Sequence, residues 1–200
     1  MSGVLLYVRS RAVPGALAAL AGTAVLALWA AARTGSGPDR DRLLPLLALA
    51  PLLAAAVIGA SLYTAAEELD RTAVRPWWPR RLTQLVGLTA SAAALLPLAV
   101  LGEGLAFGPS VMIRNLLGCT GVAAAAAVLV GARLSWLPTC ACVGAVYLAS
   151  TGVRRRAVAA GVWPGQPAQV TAAWVSAASV FVLGTVLYAV RGARPEGPRG

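Results

Sequence analysis

Residues 43–82 read LLPLLALAPLLAAAVIGASLYTAAEELDRTAVRPWWPRRL. The first part, 43–66, is apolar on every side. The second packs three acids, four arginines, two tryptophans and two prolines into residues 64–82, and apolar character resumes after Gln84. At 1.5 Å rise per residue, about 20 apolar residues cross a hydrocarbon core of about 30 Å. A strand of a membrane barrel would alternate polar and apolar positions, and this run does not. The stretch therefore predicts an α-helical span that ends in a short polar corner at a membrane surface.

The same pattern recurs along the chain. Six spans are expected, at about 12–32, 43–66, 84–107, 110–131, 134–152 and 169–190, within a single transmembrane domain over 1–192. The fold class is all-α, polytopic, and the tail 193–200 reads as a disordered cytoplasmic extension. Composition agrees: 58% of the 200 residues are hydrophobic and 12% charged, too little polar surface for a soluble domain of this size. MSGVLLYVRSRAVPG resembles the start of a signal peptide, but the run from Ala12 to Ala32 is long enough to span and is read as a retained helix.

All seventeen basic residues are arginine and none is histidine, which suggests a GC-rich, actinobacterial coding bias. They cluster at the ends of apolar runs, where arginine faces lipid phosphates, so nucleic acid is not an expected partner. With the N-terminus inside, ten arginines fall on the cytoplasmic side (9, 11, 71, 75, 80, 81, 133, 191, 194 and 199) and seven on the other (33, 40, 42, 114 and 154–156). This favours cytoplasmic termini in a bacterial plasma membrane. Arg154–Arg156 fit that orientation worst.

Catalytic signals are absent. Without histidine or lysine there is no Ser-His or Ser-Lys pair, and Asp39 and Asp41 sit among arginines in a loop. Cys119, Cys140 and Cys142 lie in apolar segments and read as small packing residues. No catalytic, cofactor or metal residues are assigned, and the chain is not expected to be an enzyme. Three polar residues are candidates for a substrate path: Glu103, near the end of span three, and Arg114 and Asn115, at the entrance to span four. Arg114 reads either as an anchor that snorkels to headgroups or as a polar contact inside the bundle.

In the corner, Glu67 and Arg71 are spaced for a helical ion pair, so span two is expected to continue beyond the membrane. Pro76 and Pro79 bracket Trp77 and Trp78, which with Arg80 and Arg81 are expected to anchor a short element at headgroup level. Six spans, cytoplasmic termini, the basic N-terminal segment YVRSRAVPG and this acid-led corner resemble the permease subunit of an ABC-type exporter (type-2 superfamily). EELDRTAVRPWWPRR carries Glu67, Glu68, Arg71, Thr72, Pro76, Arg80 and Arg81 in an order similar to that family's coupling helix, without its Gly. The resemblance implies that Glu67, Glu68, Asp70, Arg71 and Arg75 meet a cytoplasmic nucleotide-binding ATPase. It also implies a homodimer or heterodimer of permeases and a hydrophobic or amphipathic substrate. The chain has no Gly-rich phosphate loop with a lysine, so ATP would be handled by the partner and no cofactor bound here. The competing expectations are a non-transporting accessory, assembly or immunity protein, and a membrane-embedded substrate-binding subunit of an importer.

Overall fold

The computed structural model describes residues 13–34, 40–63, 78–101, 108–150, 163 and 166–194. Among these residues every regular element is helical: α1 (Val13–Thr34), α2 (Arg40–Ser61), α3 (Trp78–Leu95), α4 (Pro109–Leu129), α5 (Trp136–Ser150) and α6 (Thr171–Arg191). Four stretches are long and apolar enough to cross a membrane: Val13–Arg33, Trp78–Val100, Pro109–Leu129 and Thr171–Arg191. The apolar part of α2, Pro45–Ser61, is shorter.

Prolines set several element boundaries. Pro79 falls in the first turn of α3, where its fixed φ suits a helix and its missing N–H loses nothing. Span three therefore begins at Trp78, six residues before the expected 84, and Trp78, Arg80 and Arg81 belong to it rather than to a separate surface element. At its other end, Pro97 disfavours α geometry in the residue before it, and the chain tightens to a 3-10 helix over Leu96–Val100.

α2 corrects another expectation. It stops at Ser61 instead of continuing through residue 66. The Leu62 and Tyr63 N–H groups donate to the Gly59 and Ala60 carbonyls in a tightened last turn, and Ser61 Oγ donates to the Ile58 carbonyl at 2.6 Å. Gln84 Nε2 of α3 then donates to the Ser61 carbonyl at 3.1 Å, closing a group the helix end would leave open.

α4 is the centre of the bundle: 72% of its span is buried, against 28–44% for the other three long spans. Its most extensive partner is α6. Arg114 meets Gln166 and Pro167 just ahead of α6, and the two helices touch at Gly121 and Gly184. Just past the end of α6, the Arg194 N–H donates to the Ala127 carbonyl in the last turn of α4 at 2.9 Å. Contacts in that order make α4 and α6 parallel. The crossing is close because neither glycine has a side chain; a Cβ on Gly121 would lie 2.6 Å from the Phe181 backbone, and one on Gly184 would meet the Gly121 carbonyl. Such small-residue contacts let helix backbones approach where lipid supplies no hydrophobic drive.

α2 runs in the same direction as α4. Asn115, early in α4, reaches Leu47, early in α2, while Gly59, late in α2, lies against Ala123 and Ser135. One end of the bundle thus collects the end of α2, the start of α3 and the ends of α4 and α6. Arg80, Arg81, Arg133, Arg191 and Arg194 all lie there, and among the described residues no Asp or Glu accompanies them. Arg133 stacks on Tyr63, its guanidinium carbon 4.6 Å from the ring centroid. Gly192, at φ +76°, ends α6 against the Arg81 guanidinium. Arg194, the second residue of the tail expected to be disordered, donates through Nη1 to the Leu129 carbonyl at 3.0 Å.

Candidate functional site

Most of the polar corner lies outside the described residues: Glu67, Glu68, Asp70, Arg71, Arg75 and Trp77. So do Glu103 and the Arg154–Arg156 triplet. Of the expected surface anchors, Trp78 and Arg80 are exposed and Arg81 is half-buried. The two chain segments that flank the corner, ending at Tyr63 and resuming at Trp78, both sit at the arginine-rich end.

Arg114 and Asn115 are fully described, and both are buried, at 0% and 1% exposure. Of the two readings of Arg114, burial agrees with a polar contact inside the bundle. The guanidinium lies at the opposite end of the bundle from the arginine cluster, against the segment that leads into α6. Nη1 donates to the Pro167 carbonyl at 3.0 Å; Nη2 donates to the carbonyls of Trp163 at 2.7 Å and Gln166 at 2.6 Å. Nη2 also lies 3.4 Å from Asn115 Oδ1. A planar guanidinium suits this task, because its fork of donors can serve several fixed acceptors at once.

Asn115 does a different job. Pro51 lies inside α2 and has no N–H, so the Leu47 carbonyl, four residues earlier, loses its helical donor. Asn115 Nδ2 donates to that carbonyl at 3.0 Å. In the membrane, where water cannot replace a missing helix bond, a neighbouring side chain has to do so.

Trp163 and residues 166–170 are also held by bonds of their own. The Gln166 N–H donates to the Trp163 carbonyl, the Val170 N–H to the Pro167 carbonyl, and Trp174 Nε1 to the Ala168 carbonyl at 3.1 Å. The Trp163 indole lies directly on Gly118, one turn after Arg114, where a Cβ would collide with the indole nitrogen. Two N–H groups in this cluster are buried with no acceptor: Arg114 Nε and Trp163 Nε1.

Sequence reasoning missed Trp163, Gln166 and Pro167. The run WPGQP reads as a linker, and only a buried arginine in need of acceptors would have directed attention to it. Elsewhere, Cys119 packs with Leu52, Ala55, Ala123 and Val143, with Cys140 against the same cluster. This is the packing role expected for Cys119 and Cys140, whereas Cys142 is exposed. No family model matches the chain, and no curated protein or solved structure is similar to it.

Proposed function

We propose that this is a multi-pass protein of a bacterial plasma membrane and that it serves as the membrane subunit of an ATP-driven exporter. All six helices would cross the bilayer, with the arginine-rich end and both termini in the cytosol. The parallel course of α2, α4 and α6 supports six crossings, because the chain must return between each of them. The arginine bias supports the orientation.

One observation carries the exporter reading. Tyr63 and Trp78, which flank residues 64–77, both lie at the arginine-rich end, where a cytoplasmic ATPase would dock. Glu67, Glu68, Asp70, Arg71 and Arg75 would form that contact, and ATP would be bound by the partner. A dimer of such subunits would enclose the path for a hydrophobic or amphipathic substrate.

The test is co-purification with a cytoplasmic nucleotide-binding ATPase, sought first among the proteins encoded by adjacent reading frames. Glu67→Lys with Glu68→Lys is expected to abolish association and to remove stimulation of ATP hydrolysis. Full association and unchanged hydrolysis in that double variant overturn the assignment.

A second reading, a non-transporting accessory or assembly protein, is favoured by a separate observation. Arg114 and Asn115, expected on a substrate path, donate to this chain's own backbone carbonyls. An ATPase-independent phenotype on deletion would favour it.

A further inference from the structure

Arg114 is a cation at 0% exposure. Its acceptors are neutral: the carbonyls of Trp163, Gln166 and Pro167 and the side-chain oxygen of Asn115. Carbonyl dipoles solvate a cation but do not neutralise it, and an ionic charge inside a membrane bundle is costly unless compensated. The two helices that flank the guanidinium, α4 and α6, both present their N-terminal ends here, which adds positive potential.

The donors are also incomplete. Arg114 Nε–H is buried without an acceptor, although the other two guanidinium nitrogens are engaged. Trp163 Nε1–H is likewise buried and without an acceptor, its ring held on Gly118 one turn along the same helix. Trp174, seven residues before Phe181 on α6, provides the contrast: its indole N–H reaches a carbonyl. A buried donor left unpaired is destabilising by about as much as a lost hydrogen bond, and here two such donors accompany a buried cation.

From these donors and this charge, we propose that Arg114 and Trp163 form a binding site for a single negative charge, a halide or a carboxylate. The anion accepts from Arg114 Nε–H and Trp163 Nε1–H, and the carbonyl-bound face of the guanidinium holds Trp163, Gln166 and Pro167 in place behind it. The site does not depend on the exporter reading; in an exporter it would take the carboxylate of an amphipathic substrate, and in an accessory protein a structural halide.

The purified full chain in lipid nanodiscs is titrated with sodium chloride or sodium acetate against sodium isethionate at constant ionic strength. Thermal aggregation midpoints and chloride NMR line broadening are the readouts. A midpoint that rises with chloride identifies a halide site; one that rises with acetate identifies a carboxylate site. Trp163→Phe removes the N–H together with part of the fused ring that lies on Gly118, and Trp174→Phe controls for the smaller ring. Trp163→Phe is expected to weaken the apparent affinity about tenfold, the size of one charge-assisted hydrogen bond. Trp174→Phe should titrate as the wild type does. The proposal is overturned if neither anion shifts the wild-type midpoint or broadens beyond isethionate controls, or if Trp163→Phe titrates like the wild type. Line broadening on the wild-type protein alone decides the matter should the variant fail to fold.

Discussion

Asn115 and Pro51 are bound by a carbonyl that neither of them owns. Pro51 removes the donor that α2 would have given Leu47, and Asn115 supplies another from α4. Replacing Asn115 with Leu should destabilise the detergent-solubilised protein by about 1–3 kcal/mol, the usual effect of orphaning a buried acceptor. In a Pro51→Ala background the helix supplies its own N–H, so Asn115→Leu should cost less there, with a coupling of about 1 kcal/mol in the double-mutant cycle. Equal costs in the two backgrounds, measured by thermal or denaturant unfolding, would refute the link. Arg114→Leu should be more damaging, since it withdraws donors from three backbone carbonyls at once. The polarity of residues 114 and 115 was legible in the sequence, but its direction was not. A proline inside an apolar run does announce an orphaned carbonyl four residues earlier; which side chain answers it depends on which helix lies alongside.

At the scale of elements, the contact between α4 and α6 rests on two glycines rather than on the long alanine run 123–127. Small residues are so frequent in this chain that spacing alone could not locate the crossing. Their surroundings do. A Cβ at Gly121 or Gly184 would meet backbone, whereas Gly22, Gly87 and Gly144 have nothing within 4 Å. Gly121→Val or Gly184→Val should therefore separate the two helices, lower the thermal midpoint and weaken a disulfide engineered across the pair. Gly87→Ala should be neutral or stabilise its helix by up to about 1 kcal/mol, through propensity alone. If the valine variants were as stable as the alanine control, the crossing would not be where the contacts put it. Helix ends were legible where a proline or an apolar boundary marked them. The end of α2 was misjudged because Ser61 and Gln84, which close it, are separated by 23 residues of sequence.

For the whole molecule, the chief consequence is sidedness. Leu134 and Gln169 are both exposed, and they sit at opposite ends of the bundle. With Cys119, Cys140 and Cys142 replaced by alanine, a cysteine at Leu134 should react with an impermeant maleimide only after the membrane is opened from the cytosolic side. One at Gln169 should react in intact cells. The reverse pattern would invert the orientation, and labelling of both from outside would break the alternation of crossings. Hydropathy made the helical membrane class readable because four of the apolar runs are long enough to span. That three of the helices run parallel, with α4 enclosed among them, follows from tertiary contacts between residues far apart in sequence.

The clasp around Arg114 also constrains how the protein is made. Its acceptors lie 49–53 residues downstream, beyond α5. At typical synthesis rates of about 5–20 residues per second, the arginine leaves the ribosome on the order of 3–10 s before the carbonyls that will receive it. During that interval α4 holds a charge with no partner from its own chain, a state that disfavours release into lipid. The helix at the centre of the finished bundle would thus be among the last to settle, waiting beside the insertion machinery until the segment before α6 emerges.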